Sequence, residues 1–266
     1  IGQMFSLNLP NTIFIDNTSS SDVSSLYERV LEKSISIVTS NKLAASSSFE
    51  NYSRLKRTAL RKRVQFRYGS NVGAGLPVIH TIQNMVKTGD KILRIDAVLS
   101  GSLNHIFNSY SNGMKFSEAV LLALEKGYTE PDPLTDLRGV DIARKLLILV
   151  RESGFRLDVS EVAFEDYLPG PLPGKYDAAA FLTQMREFDL FFERQRADLA
   201  LRNERVRIIA CYDSGRASVR PVRVSTEHPF YYLEGNENIV SVYSERYSRQ
   251  PLIIKGAGAG ADVIAF

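Results

Sequence analysis

Short apolar runs alternate with segments of helical periodicity between residues 12 and 68. Thr12 to Asp16 is one run, closing on Asn-Thr-Ser-Ser-Ser; a helical stretch follows from about Asp22 to Lys33, and a second run covers Ile35 to Val38. After a turn at Thr39 to Lys42, the spacing predicts a helix from Ser47 to Lys62 and a further strand from Val64 to Tyr68. This is a βαβ rhythm, and it predicts a parallel sheet. Ligands of such sheets lie off the carboxyl ends of the strands, so Asn17, Thr18, Ser19, Asn41 and Lys42 mark the expected ligand edge.

The pattern changes beyond Gly69. Gly73 and Gly75 in SNVGAGLP allow backbone that exposes several carbonyls or amides together. A long strand is predicted from Lys91 to Ser100, then helices near Leu103 to Tyr110, Ser117 to Lys126 and Leu137 to Ser153. A proline and glycine loop at Pro169 to Gly174 precedes a helix from Asp177 to about Leu201. Strands are expected near Arg205 to Tyr212, Ala217 to Val224, Ile239 to Ser244 and Leu252 to Ile254. Helices on a mixed or antiparallel sheet would make this a second, α+β region. The chain shows no internal repeat.

One stretch stands out chemically. GYTEPDPLTDLRGVDIARK, from Gly127 to Lys145, gathers Glu130, Asp132, Asp136 and Asp141 with two prolines and Lys145 just ahead of an apolar helix. The prolines hold Glu130 and Asp132, which precede them, in extended geometry and stiffen the loop. A stiff acidic loop suits a small cationic group. Asp141 and Lys145 lie one helical turn apart, and in isolation they would read as an ordinary exposed ion pair. Leu146, Leu147, Ile148, Leu149 and Val150 instead make the helix apolar nearly all round, which is the pattern of a buried helix. A buried lysine beside carboxylates is drawn both ways, by desolvation and by the acids, and that balance favours proton exchange near neutral pH.

Composition bounds the rest. With 44% hydrophobic and 24% charged residues the chain has the make-up of a soluble globular protein. Its net charge of +3 asks for neither nucleic acid nor an anionic membrane. Arg54, Lys56, Arg57, Arg61 and Lys62 make the second helix basic, but Tyr52, Leu55 and Ala59 give it an apolar stripe, so the charges read as a solvated outer face. The single Cys211 excludes an internal disulfide, fails every common zinc spacing together with the three histidines, and suits a reducing cytoplasm. No apolar run approaches membrane-spanning length. The chain starts at Ile1 without a signal-like segment and stops at Phe266 after GAGAG (Gly256 to Gly260), so it reads as a fragment. A glycine run after a strand often lets backbone approach a phosphate.

Taken in order, VTSNK, NVGAGLPVI, VLSGSLNHIFN, GYTEPDPLTDLRGVDIARKLLILVRESG and GAGAGADV resemble the homoserine dehydrogenase family over nearly the whole chain. With YSERYSRQPLIIKGAGAGADV, the likeness is greatest to the dehydrogenase half of the bifunctional aspartokinase–homoserine dehydrogenases. The resemblance implies an α/β fold: a partial Rossmann-type nucleotide-binding domain at 1–72, an α+β substrate-binding and dimerisation domain at 73–250, and a segment at 251–266 returning to the first domain. It implies reversible, NADP- or NAD-dependent reduction of L-aspartate 4-semialdehyde to L-homoserine, on the way to threonine, methionine and isoleucine. It also implies a cytoplasmic homodimer, possible fusion to an aspartokinase domain, and no nucleic-acid or membrane partner.

The resemblance carries residue roles too. Lys145 and Lys42 match catalytic lysines, and Glu130 matches the glutamate that receives the substrate ammonium. Asp136 and Asp141 match acids that bind substrate or orient the lysine, while Gly101 and Ser102 border the substrate. Asn17, Thr18, Ser19, Thr39, Asn41, Lys42, Gly258 and Gly260 match the cofactor edge. Backbone carbonyls at Val72, Ala74 and Leu76 match a site for sodium or potassium. Three positions depart from the pattern: Ser40 replaces a proline, Ile264 a threonine, and Gly69 the acid of the cation site. The family's N-terminal glycine-rich loop is absent, so cofactor preference is unreadable. One alternative is a non-catalytic dimerising scaffold of the same fold; another keeps catalysis but assigns another amino-acid semialdehyde or 2-amino alcohol to the acidic loop.

Overall fold

The alternation over residues 12 to 68 folds into parallel strands with their helices packed on one side. A computed structural model describes residues 2–7, 9–129, 132–172 and 174–258. After α1 (Gly2–Leu7), the strands β1 (Ile13–Asp16), β2 (Ser36–Thr39) and β3 (Phe66–Arg67) form a three-stranded parallel sheet in that order, with Ile13 level with Ser36 and Ile37 level with Phe66. The helix expected from Asp22 to Lys33 is instead two, α2 (Ser21–Ser24) and α3 (Tyr27–Glu32). The reason lies in its serines. Ser24 and Ser25 turn their hydroxyls back onto the carbonyls of Ser21 at 3.0 Å and Asp22 at 2.7 Å, competing with the helical ladder.

α4 (Phe49–Lys62) starts where the Ser48 hydroxyl accepts from the Asn51 amide and stops at Arg63, in the left-handed region at φ 56°. Its basic face meets the acids of α3. Arg54 pairs with Glu28 at 3.0 Å, and Lys62 and Arg61 both reach Glu32. Exposed pairs of this kind contribute about 0–1 kcal/mol each. They account for much of the positive charge on that face.

The second region is built on a six-stranded sheet. β4 (Ile92–Val98), β5 (Val162–Phe164), β6 (Glu204–Asp213), β7 (Arg216–Ser225), β8 (Glu237–Ser244) and β9 (Leu252–Ala257) lie in the order β5-β7-β6-β4-β8-β9, antiparallel except for the parallel β5–β7 pair. Ile95, Ala97, Ile208, Ala210 and Val240 recur at every second position of their strands and share one core with Phe107, Leu146 and Phe192. These last come from α6 (Gly101–Ser111), α9 (Val140–Glu152) and α10 (Ala178–Leu201); α5 (Val78–Lys87), α7 (Phe116–Glu125) and α8 (Pro133–Leu137) complete the helices. Within the segment 251–266, residues 252–257 form the outer strand of this sheet, with Leu252 opposite Val242. Gly260 and the rest of 259–266 lie outside the described residues.

α9 is the buried helix that its composition predicts. Ile142, Ala143 and all residues from Leu146 to Glu152 are buried. It begins at Val140, later than expected, because Gly139 takes the left-handed conformation at φ 67° after α8, whose N-terminus is capped by the Asp132 carboxylate accepting from the Leu134 amide at 2.9 Å. Two charged residues end the apolar run. The Glu152 carboxylate accepts from Tyr52 at 2.7 Å, Gln83 at 2.6 Å, Lys56 at 3.2 Å and the Tyr68 hydroxyl. Burial alone would raise Glu152, but Lys56 and the hydroxyl and amide donors outweigh it and hold the carboxyl below the usual range. That cluster bolts α9 and α5 to α4 and the end of β3.

Arg207 does comparable work on the other side of the sheet. It is about 1% exposed and, among the described residues, meets no carboxylate. Its guanidinium donates to the carbonyls of Phe230 at 2.9 Å, Tyr231 at 2.8 Å and Leu233 at 3.1 Å and to the side-chain oxygens of Asn104 and Asn108. Asn104 and Asn108 in turn donate to the carbonyl of Gly235. Residues 230–237 are thereby strapped to α6. Burial pulls the guanidinium down to about 10. Arg207→Met leaves these carbonyls and amide oxygens unpaired and is expected to destabilise the fold by about 2–4 kcal/mol. A urea midpoint equal to wild type would show that the strap holds without it.

Candidate active site

The carboxyl ends of the parallel strands are fixed by a hydrogen-bonded network centred on Asp16. Its carboxylate accepts from the Tyr27 hydroxyl at 2.5 Å, the Asn41 amide at 3.1 Å and the Thr18 backbone at 2.8 Å, while Thr39 Oγ1 donates to the Asp16 carbonyl at 2.8 Å. Asn71, in the orientation that satisfies its amide, donates to the carbonyls of Thr39 at 3.2 Å and Ser40 at 3.1 Å. Thr39 and Asn41, two of the expected cofactor residues, are therefore buried and shape the loop from beneath. Asn17, Thr18 and Ser19 stand exposed at the end of β1.

The shaped loop delivers Lys42 to α9. Lys42 Nζ lies 3.3 Å from Asp141 Oδ1, and Lys145 Nζ lies 2.9 Å from Asp141 Oδ2. One carboxylate bridges two ammonium groups. Lys145 also donates to the Leu99 carbonyl at the end of β4, at 2.7 Å, and its side chain is 15% exposed. The ordinary exposed ion pair is thus excluded: the i, i+4 spacing is real, but a second lysine from a distant loop joins it. Burial pushes Asp141 up, yet Lys145 and then Lys42 outweigh that effect and draw its carboxyl down to about 2.

A second acid faces the same space. Ser100 caps α6 by accepting from the Leu103 amide, its hydroxyl lies 3.0 Å from that of Ser102, and Ser102 donates to Asp136 Oδ1 at 2.7 Å. Asp136, Asp141, Lys42, Lys145, Ser102 and Tyr128 line one cavity of about 320 Å³. Gly101 and Gly258 line it too, on either side of the Asn236 carbonyl. A Cβ at Gly258 would stand 2.3 Å from that oxygen, so only glycine fits there. Glu130 and Gly260 lie outside the described residues.

Several lining residues escaped sequence reasoning. Asn71 sits in the turn after β3, Tyr128 follows Gly127, and Asn236 comes from the strap. Tyr128 could have been found from its place beside the acidic loop. Asn236 gave no signal, because only the strap's return brings it to Gly101.

The turn at 69–76 lacks the acid expected of a monovalent-cation site. The Leu76 carbonyl already accepts from the Val78 amide at 2.8 Å, and the Gly73 carbonyl from the Leu76 amide at 3.0 Å. Gly69 supplies no acid, and a Cβ there would meet the His80 ring at 2.6 Å. Among the described residues no group of His, Cys, Asp and Glu could hold a metal. A nicotinamide ring fits better. The cavity lies at the carboxyl ends of the parallel strands and is bounded there by Lys42, Ser70, Ala74 and the side-chain-free Gly258.

Asp141 sets an acid limit on stability. Its folded-state carboxyl titrates below its ordinary value of 3.8, so its contribution is complete above about pH 4 and fades as pH falls toward 2. The difference in denaturation midpoint between wild type and Asp141→Asn should shrink over that window. A difference independent of pH would remove the two-lysine contact from the folded state.

Comparison with known proteins identifies the family. A family model described as homoserine dehydrogenase matches residues 77–266, well over half of the chain. A bifunctional aspartokinase/homoserine dehydrogenase of Daucus carota, described as chloroplastic, is 41% identical over 259 residues, covering 97% of this chain and 28% of that protein. The chain thus spans just over a quarter of that relative's length. Among solved structures, a Candida auris protein of unknown function is 36% identical with a TM-score of 0.92, covering 100% of this chain and 77% of its own. A hyperthermophilic archaeal homoserine dehydrogenase in complex with NADPH is 27% identical with a TM-score of 0.73, covering 95% and 67%. The helix that carries Asp141 and Lys145 falls inside the matched region, and the chain belongs to the homoserine dehydrogenase family.

Proposed function

We propose that this chain is the dehydrogenase part of an enzyme that interconverts L-aspartate 4-semialdehyde and L-homoserine. The observation that carries this reading is the Asp141 carboxylate shared by Lys42 and Lys145 at the edge of a small polar cavity. NADP or NAD, when bound, supplies the hydride acceptor or donor. The archaeal relative bound to NADPH favours the former.

The residues divide the work by charge. When an aldehyde is reduced, negative charge develops on its oxygen, and an ammonium there stabilises it and supplies the proton. Lys145 takes this role, because the Leu99 carbonyl and Asp141 fix its Nζ from two sides. Lys42 adds a second positive charge. Asp136, oriented by Ser102, helps to hold the substrate ammonium together with Glu130, and this aligns the reacting carbon. Asn17, Thr18, Ser19 and Gly258 border the cofactor, with Thr39 and Asn41 supporting that edge. The sodium or potassium site at Val72, Ala74 and Leu76 is left out of this reading, since Gly69 supplies no acid there.

The wider setting is part of the same proposal. Residues 1–72 form the nucleotide-binding part and 73–250 the substrate-binding and dimerising part, whose sheet residues 252–257 extend. The carrot relative makes fusion to an aspartokinase the natural context. No described helix is long and apolar enough to cross a membrane. A homodimer working in a reducing compartment, with Cys211 buried in the core, completes the reading.

Nicotinamide absorbance with homoserine and either oxidised cofactor tests the activity in the full-length protein. Turnover is expected in wild type, and Lys145→Ala should lower kcat by about 100-fold or more. No turnover in wild type would leave the scaffold reading in its place. Glu130→Ala should raise the homoserine KM with a smaller effect on kcat; an unchanged KM would take Glu130 out of the ammonium site.

A further inference from the structure

α9 touches the Lys42 loop at two places, not one. At its N-terminal end Asp141 holds Lys42 Nζ; ten residues later Arg151 Nη1 donates to the Ala45 carbonyl at 2.9 Å. At about 1.5 Å rise per residue these points lie roughly 15 Å apart along the helix, so together they fix both the position and the tilt of the loop. The gripped carbonyl belongs to a closed turn. Ser46 donates to the Lys42 carbonyl through its amide at 2.9 Å and its hydroxyl at 2.8 Å, so Lys42 and Ala45 move as one unit.

Every arm of the Arg151 guanidinium is used. Its side chain has no exposed surface. Nε and Nη2 donate to the Leu157 carbonyl at 3.1 and 2.9 Å, and Nη2 also meets Asp158 Oδ1 at 2.9 Å. That same Asp158 oxygen accepts from the Phe49 amide at 2.7 Å, at the start of α4. The rings of Tyr52 and Phe49 lie 5.1 and 5.8 Å from the guanidinium carbon. One planar fork therefore joins α9, the 157–158 segment and the Ala45 carbonyl, and through Asp158 it also reaches the Phe49 end of the loop. Sealing a guanidinium away from water is costly unless its directional donors are all satisfied. An apolar residue would pack the same volume but could not grip a carbonyl.

We propose that Arg151 is a positioning residue that locks the turn Lys42–Ser46 onto α9 and so keeps Lys42 on Asp141 beside Lys145. Its kinetic consequence rests on the dehydrogenase reading; its structural consequence does not. Two ammonium groups facing one reacting oxygen must stand at a fixed separation, and displacement of such groups by about 1 Å can lower a rate about 100-fold. Arg151→Lys keeps the charge but lacks the fork, so it cannot hold Leu157 and Ala45 together.

The test uses the full-length protein in three variants. In Arg151→Lys, hydrogen exchange at the Ser46 amide should quicken while the α9 amides of Leu146 to Val150 keep their protection. The Asp141 titration, followed by carboxylate carbon NMR, should move up from about 2 as Lys42 withdraws. kcat should fall about tenfold or more, with the homoserine KM changed less than twofold. Asp158→Asn keeps an acceptor for Arg151 and Phe49 and should stay near wild type, whereas Asp158→Ala should behave as a milder Arg151→Lys. Asp158→Ala also serves should Arg151→Lys fail to fold. Unchanged Ser46 exchange and Asp141 titration in both disruptive variants would overturn the proposal, and so would altered exchange with kcat intact. If wild type shows no turnover, exchange and titration still decide the clamp, and only the dehydrogenase reading fails.

Discussion

A single carboxylate held between two lysines is the constraint around which this molecule is arranged. Asp141 can bridge Lys42 and Lys145 only if a loop of the parallel-sheet region and a helix of the second region meet at fixed distance. Ammonium groups so close repel one another, and the carboxylate between them offsets that repulsion. The three charges form a net cation facing a cavity that Asp136 also lines, so opposite charges are presented to one space. A small zwitterionic substrate with a polar reacting group matches that distribution.

Holding such an arrangement requires rigidity on both sides. α9 provides it by being buried nearly all round, which ties its axis to the six-stranded sheet through Ile142, Leu146 and their neighbours. Each fully buried side chain of this size stabilises the fold by about 1.5–3 kcal/mol. The polar residues sit where the apolar run stops. Arg151 and Glu152 point into the other region and meet the Ala45 carbonyl, Tyr52, Tyr68 and Lys56. A helix that is apolar in its middle and charged at both ends thus acts as a rigid spacer between two polar attachment points.

Much of this was legible along the chain. Motif resemblance points to Lys42, Asp136, Asp141, Lys145, Gly101 and Ser102, and the structure brings all six to one cavity. The parallel strands, the mixed sheet and the buried helix also follow from periodicity. Other features were not legible for identifiable reasons. The expected helix from Asp22 to Lys33 breaks because serine hydroxyls compete locally with the ladder, an effect weaker than the apolar pattern that suggested one helix. Thr39 and Asn41 read as ligand-facing polar residues, yet they face inward to Asp16 and Tyr27, and polarity alone does not tell the two directions apart.

The sequence by itself determined the elements, the apolar faces that drive them together and the residue types able to do the chemistry, because periodicity and side-chain character are local properties. Only the tertiary structure decided which charges share a partner. Asp141 and Lys145 are four residues apart and would pair on any helix, whereas Lys42 comes from a loop on another sheet and Asn236 from a strap held by Arg207. Such contacts depend on loop closure across long stretches of chain, where spacing carries no information and geometry is set by the packing of everything between.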